Sequence, residues 1–175
     1  PYSATWDTTV AVPKMAKSVW VRAVATDADN GDVKVKSETS KKFGVDNQSP
    51  VAGDWTKNPV DLTEDTKTSL KVTVGFDDSE GSGISKVEVA YKIGTGSYGN
   101  FREMKLESNS TWSYDIIESG GWDNYRGQTI SYKARATDAV GNVSAETKEQ
   151  QELIDDINDP PTGAITSIFK QWEIG

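Results

Sequence analysis

The sequence predicts an all-β fold, a β-sandwich repeated in units of about 110 residues. Three observations carry this. Apolar residues recur at every second position in short runs, Gly-, Asn- and Asp-rich segments separate those runs, and several landmarks recur at one fixed spacing. No stretch shows the 3.6-residue period with capping residues that a helix requires.

Taken in order, Leu70, Val72, Val74 and Phe76 alternate with polar residues and run into the turn-rich DDSEGSG (77–83). Val87, Val89 and Tyr91 alternate next and end at GTGSYGN. Met104 and Leu106, then Trp112, Tyr114 and Ile116, mark two further strands, with GGWDNYRG as the connection that follows. Ile130, Tyr132, Ala134 and Ala136 form the clearest strand, with Ser131, Lys133, Arg135 and Thr137 expected on its outer face. A last strand after Gly141 is weakly apolar (Val143, Ala145, Leu153), as an edge strand can be. Seven short strands with turn chemistry between them argue a sandwich of about 100 residues.

The repeat sets the boundaries. Residues 21–28 read VRAVATDA and residues 132–139 read YKARATDA; Ala23 and Ala134, Thr26 and Thr137, Asp27 and Asp138, and Pro50 and Pro161 are each 111 positions apart. That spacing places a complete unit at 50–160, the C-terminal half of a preceding unit at 1–49, and the start of a further unit or a tail at 161–175. A half-sandwich at 1–49 leaves an open edge and half a core, so the missing strands belong to a longer polypeptide or to another molecule.

Composition removes several chemistries. The chain of 175 residues has no Cys and no His, which excludes a disulfide framework, a thiolate nucleophile, Cys-type metal sites and the usual neutral-pH base. A net charge of −8 repels a phosphate backbone, so nucleic acid is not an expected partner. No apolar run approaches the roughly 20 residues a membrane helix needs. The chain opens at Pro1 with no charged or apolar leader, so a signal peptide would lie outside it. Six Trp, six Tyr and four Phe give it much to bury, which argues against disorder. Carboxylates, amides and hydroxyls remain, and these bind hard cations and sugars more readily than they run a reaction.

PYSATWDTT (1–9) followed by VWVRAVATDADNG (19–31) resembles the second half of a bacterial immunoglobulin-like domain. Ser82-Gly83-Ile84 and ATDAVGN (136–142) resemble related parts of such domains, and VDNQSP (45–50) resembles the linker that closes a repeat. IDDINDPP (154–161) is similar to the cadherin linker, with Asp156, Asn158 and Asp159 matching and Pro160 in place of that motif's last Asn. The resemblance implies an immunoglobulin-like sandwich in a tandem array of an exported bacterial protein, extracellular or on the cell surface. It also implies Ca2+ between successive domains.

In that topology two loops and the incoming linker meet at one end of the complete unit. This gathers Asp46 and Asn47 from the linker, Asp77, Asp78 and Glu80 from the first loop and Asp138 from the second, with Asp7 approaching from the preceding unit. Calcium takes six to eight oxygens at about 2.3–2.6 Å, which carboxylates and carbonyls from several loops can supply. Asp156, Asn158 and Asp159 form a second candidate, needing a neighbour to complete it. Turn chemistry alone is the more economical reading of the same residues, because Asp, Asn and Gly populate turns for their own reasons.

Trp122 and Tyr125, in a Gly-rich loop, and Trp20, opposite in phase to Val19 and Val21, are candidate platforms for a sugar ring. The competing expectation is that a large loop residue plugs the sandwich end, as Trp112 and Trp55 anchor the core. Catalysis is the least favoured class, because a small sandwich with short loops offers little room for a shaped pocket. The expected function is therefore a non-catalytic immunoglobulin-like spacer and adhesion scaffold, with neighbouring domains, other subunits or cell-surface glycans as partners. Two alternatives stand beside it. One is an accessory sugar-binding module of a secreted polysaccharide-degrading enzyme; the other is a fibre subunit assembled by strand exchange, with 165–172 as the donated segment.

Overall fold

The computed structural model describes residues 3–12, 14–31, 33–56 and 69–154. The second linker, with Asp156, Asn158 and Asp159, and the segment 161–175 lie outside the described residues. Among the described residues the regular structure is β apart from one short helix, α1 (Thr8–Ala11), and 3-10 turns at Ala28–Asn30 and Trp122–Tyr125. No described helix is long and apolar enough to cross a membrane.

From Val51 onward two four-stranded sheets face each other, every paired strand antiparallel. One contains β5 (Val51–Thr56), β6 (Leu70–Asp77), β10 (Thr111–Ile116) and β9 (Lys105–Ser108), in that order. The other runs β12 (Gln150–Leu153), β11 (Thr129–Asp138), β7 (Ile84–Ile93), β8 (Arg102–Glu103). The expected alternation is what builds the core. Leu70, Val72, Val74 and Phe76 of β6 and Trp112 and Ile116 of β10 meet Val87, Val89, Ile130, Tyr132, Ala134 and Ala136 from the other sheet. Inward side chains of a sheet lie on one face because the pleat has period two, so each strand needs only its own alternation to find the core.

Two details depart from the expected strands. Met104 is buried while Leu106 is exposed, because the chain changes sheets there: β8 pairs with β7 and β9 with β10. The Met104 amide donates to Val87 O at 2.8 Å as it crosses. The outer face of β11 is also less open than its polar residues imply, with Ser131 buried. The loop 94–101 folds over that face, placing the Tyr98 ring under Lys133 (4.4 Å) and Lys92 (5.0 Å), and Phe101 under Arg135 (4.0 Å). Cation–π contact lets these side chains cover their stems without burying bare charge.

The weakly apolar last strand is explained by its hydrogen bonds. Between the single bridge Thr137–Val143 and β12 the chain has no regular pairing, yet it does not leave the β11 edge bare. The Ser144 and Thr147 amides donate to Ala136 O (2.9 Å) and Ala134 O (2.8 Å). In return, Ala136 N donates to Ser144 Oγ (2.9 Å) and Ala134 N to Thr147 Oγ1 (3.0 Å). Three residues on one strand span two on the other, as at a bulge, and the hydroxyl supplies the acceptor that a displaced carbonyl no longer can.

Residues before Pro50 form a long, mostly exposed ribbon. It consists of β1 (Met15–Val19) paired with β4 (Phe43–Asp46), and β2 (Val24–Asp27) paired with β3 (Val33–Lys36). Between these pairs the hydroxyl arrangement occurs a second time. Ser37 and Ser40 exchange amide and hydroxyl bonds with Ala23 and Val21, all at 2.8–2.9 Å.

Removing the two hydroxyls separates their contributions. Ser144→Ala leaves a buried amide without an acceptor and is expected to cost about 1–3 kcal/mol in urea unfolding. Ser37→Ala exposes the freed amide to water and is expected to stay within about 0.5 kcal/mol. Equal costs at the two sites would contradict this account.

Candidate functional site: an acidic junction

Three strand ends converge where the ribbon enters the sandwich. Asp46 is the last residue of β4, Asp78 follows β6 directly, and Asp138 ends β11. One carboxylate oxygen from each lies within 4.8 Å of the others. Three acids come together because the linker must pass the end of the sandwich at which β6 and β11 both terminate. No ion pair among the described residues involves any of the three.

Asp138 is the fixed member. Its carboxylate is buried, and Oδ1 accepts from the amides of Val140 (3.0 Å), Gly141 (2.7 Å) and Asn142 (2.8 Å). Gly141 sits at φ +102°, which an L side chain rarely adopts, so the loop can close over the carboxylate only with glycine there. Asn142 Nδ2 donates to Asp138 Oδ2 (2.7 Å) and reaches the linker carbonyls of Asp46 (3.1 Å) and Gln48 (3.3 Å). One amide group thereby ties the linker to the end of β11.

Asp46 Oδ1 accepts from Gln48 N at 3.0 Å, and Oδ2 from Ser82 N at 2.6 Å. Partial burial opposes its charge, but these amide bonds prevail and hold the carboxyl below the ordinary carboxylate range. Ser82 Oγ stands beside it, buried, near enough to favour the charge yet without a bond of proper geometry. Asp78 behaves in the opposite way. Desolvation, reinforced by the charges of Asp46, Asp138 and Asp77, raises its carboxyl despite the bond from Gly83 N (2.8 Å). Gly81 lies under this carboxylate, and a Cβ at that position would collide with it.

The other expected ligands face elsewhere. Asp77 accepts from Ser79 N (3.0 Å) and Ser79 Oγ (3.2 Å) on the exposed side of its loop. Asp7 caps α1, accepting from Thr9 N (2.9 Å) and Thr9 Oγ1 (2.6 Å). Asn47 braces that same segment, donating to Val12 O (2.6 Å) and accepting from Thr8 Oγ1 (3.2 Å). For Asp7 and Asp77, then, the turn chemistry is visible directly. Asn142 does not stand among the candidate ligands in the sequence; its signal there is its place at the end of ATDAVGN (136–142), four residues after Asp138.

The aromatic candidates separate as well. Trp122 is 2% exposed and belongs to the core, with Tyr125 packed against it. An indole so enclosed presents no face to a sugar ring; it plugs the end of the sandwich. Trp20 is 55% exposed, with Lys42 Nζ 5.8 Å from its ring centre, and stands apart from that loop in the ribbon.

Chemically, the junction offers three carboxylates with carbonyl oxygens nearby, a set suited to a hard cation of calcium's class. The sign of the electrostatics can be tested without one. Because the folded chain holds Asp78 protonated to higher pH than the ordinary value of 3.8, ionising Asp78 costs stability as pH rises past that value. Asp46, held low, instead adds stability above the ordinary value and loses it as pH falls through the carboxylate range. In chelator at neutral pH, Asp78→Asn is therefore expected to raise the melting temperature by about 2–4 °C, the equivalent of about 0.5 kcal/mol. The gain should vanish near about pH 3, where the wild-type group is protonated. No protein-family model matches the chain, and a comparison with curated proteins finds no match.

Proposed function

We propose that the chain is a non-catalytic run of immunoglobulin-like repeats from a secreted or cell-surface bacterial protein, acting as spacer and adhesion scaffold. In this reading, Ca2+ at the junction fixes the direction in which one repeat follows another. The observation that carries it is the meeting of Asp46, from the linker, with Asp78 and Asp138, from two loops of the following unit. A cation held by all three would tie together segments that otherwise share only hydrogen bonds. It would also relieve the repulsion that raises Asp78.

The repeat reading draws support from the recurrence of ATDA at residues 25–28 and 136–139 and from the hydroxyl arrangement found beside both. The absence of His and Cys from the sequence accords with a module that has no reaction to perform.

Melting the intact chain with Ca2+ and with chelator tests the junction. At a hundred times its Kd, a ligand bound only by the folded state stabilises by about 2.7 kcal/mol. Asp78→Asn should remove most of that response while leaving the chain folded, and Mg2+, which holds its waters more tightly, should replace Ca2+ poorly. A melting temperature indifferent to Ca2+ up to about 10 mM, beyond the affinity range of extracellular calcium modules, would sink the proposal.

A further inference from the structure

The ribbon carries an apolar face with nothing against it among the described residues. In the β2–β3 pairing Ala25 stands opposite Val35 and Asp27 opposite Val33, so Ala25, Val33 and Val35 share one side, with Asp27 at its far end. Val24, Thr26, Lys34 and Lys36 share the other. Strand alternation carries the apolar side back through Ala23 and Val21, towards Phe43, on whose ring Trp6 packs edge-on at 6.4 Å. Val21, Val33 and Val35 are 47%, 49% and 63% exposed. One repeat further on from Val21, Ala23 and Ala25 stand Tyr132, Ala134 and Ala136, which are 3%, 0% and 1% exposed, while the same step from Val33 and Val35 reaches Ser144 and Glu146. The same alternation is core in one place and bare in the other.

The edge of the ribbon tells the same story. Ser37 and Ser40 close one edge of the strand by bonding Ala23 and Val21, as Ser144 and Thr147 close one edge of β11. The opposite edge of β11 is filled by β7, with Arg135 opposite Glu88 and Thr137 opposite Lys86. In β2 the corresponding amides, those of Val24 and Thr26, point away from β3, and β2 pairs with β3 alone. A two-stranded ribbon is marginal by itself and needs a third strand or a packed face.

Resting on the repeat reading above, we propose that this face and edge are a docking surface for the complementary half of a sandwich. Its occupant is an apolar-faced sheet of the kind β6 and β10 make, with a strand of the β7 kind running along the Val24–Asp27 edge. The interface that already exists inside the molecule argues for this occupant, because β11 meets both needs at once, β7 on its edge and β6 with β10 across its face. A second ribbon would cover the face and leave both edges unmet. Charge agrees: residues 1–50 hold seven basic and six acidic side chains, so a large apolar sheet approaches without net repulsion.

The test supplies a complementary half. A second copy of residues 50–111, the stretch the 111-residue spacing calls for, is fused ahead of Pro1 and amide hydrogen exchange is followed. The expected result is slowing of the Val24 and Thr26 amides by at least about 100-fold, as expected of amides newly paired within a folded sheet. Val33→Lys with Val35→Lys in the extended chain should abolish it. If the extended chain fails to fold, bis-ANS binding to the original chain decides, since an open face binds the dye and the double Lys variant does not. Unchanged exchange in a folded extended chain, or no dye binding by the original chain, overturns the proposal. So does a concentration-dependent dimer of the original chain with those two amides already protected, which would make a second copy the occupant. The calcium response of the original chain is measured alongside, so that failure at the junction and failure at this face are told apart.

Discussion

Strand β11 sets the geometry on which the rest of the molecule depends. Its inward side chains grade from large to small, Ile130 and Tyr132 giving way to Ala134 and Ala136. Small residues near one end face the edge-on Phe76–Trp112 pair, rings 6.4 Å apart, that the neighbouring strands β6 and β10 present from the other sheet. Its edges hold β7 on one side and, on the other, β12 and the hydroxyl-bonded segment before it. Its last residue is Asp138. The position of the acidic cluster is thus inherited from the core: wherever β11 ends, Asp138 ends with it, and the loop that caps Asp138 meets the linker.

Much of this is legible in the sequence, for one physical reason. Period-two alternation depends only on neighbours along the chain, so β6, β7 and β11 announce themselves in their own residues. Burial of the outer face does not work that way. Nothing in Ser131 itself shows that loop 94–101 will lie across it, because that depends on Tyr98 and Phe101 finding Lys133 and Arg135. The acids divide along the same line. Asp7 and Asp77 bond amides two residues away, a local act that turn chemistry anticipates. Asp46 bonds Ser82, 36 positions away, and only the tertiary fold brings them together. Trp122 reads in sequence as either plug or platform, and the deciding quantity, its enclosure, is a property of the whole sandwich end.

The three acids also illustrate how proximity and pairing divide a cluster into unequal members. Asp46 spends both oxygens on backbone amides, and Asp138 one on three amides and the other on the Asn142 side chain. Asp78 has one such bond and faces the other two. Repulsion falls on the member least able to answer it, so the Asp78 carboxyl is raised while that of Asp46 is held low. Gly81 permits this arrangement by leaving room for that carboxylate, which a methyl group would displace.

A comparison within the chain shows what the junction requires beyond a motif. Asp27 ends β2 as Asp138 ends β11, and both follow Ala-Thr. Asp27 accepts one local amide bond, from Asp29 N at 3.1 Å, and caps a short 3-10 turn. Asp138 accepts four bonds, and the Asn142 side chain that makes one of them also holds the linker carbonyls of Asp46 and Gln48. The difference lies in what arrives from outside the loop. With a linker passing by, the short DAVGN loop closes tightly, places Asn142 between two segments and sets Asp46 beside Asp138. At Asp27 the hairpin continues into β3 instead, and the aspartate is left to serve its own turn. The clustering of carboxylates is therefore a property of the place where the linker meets the end of the sandwich and not of the Ala-Thr-Asp-Ala sequence that ends each strand.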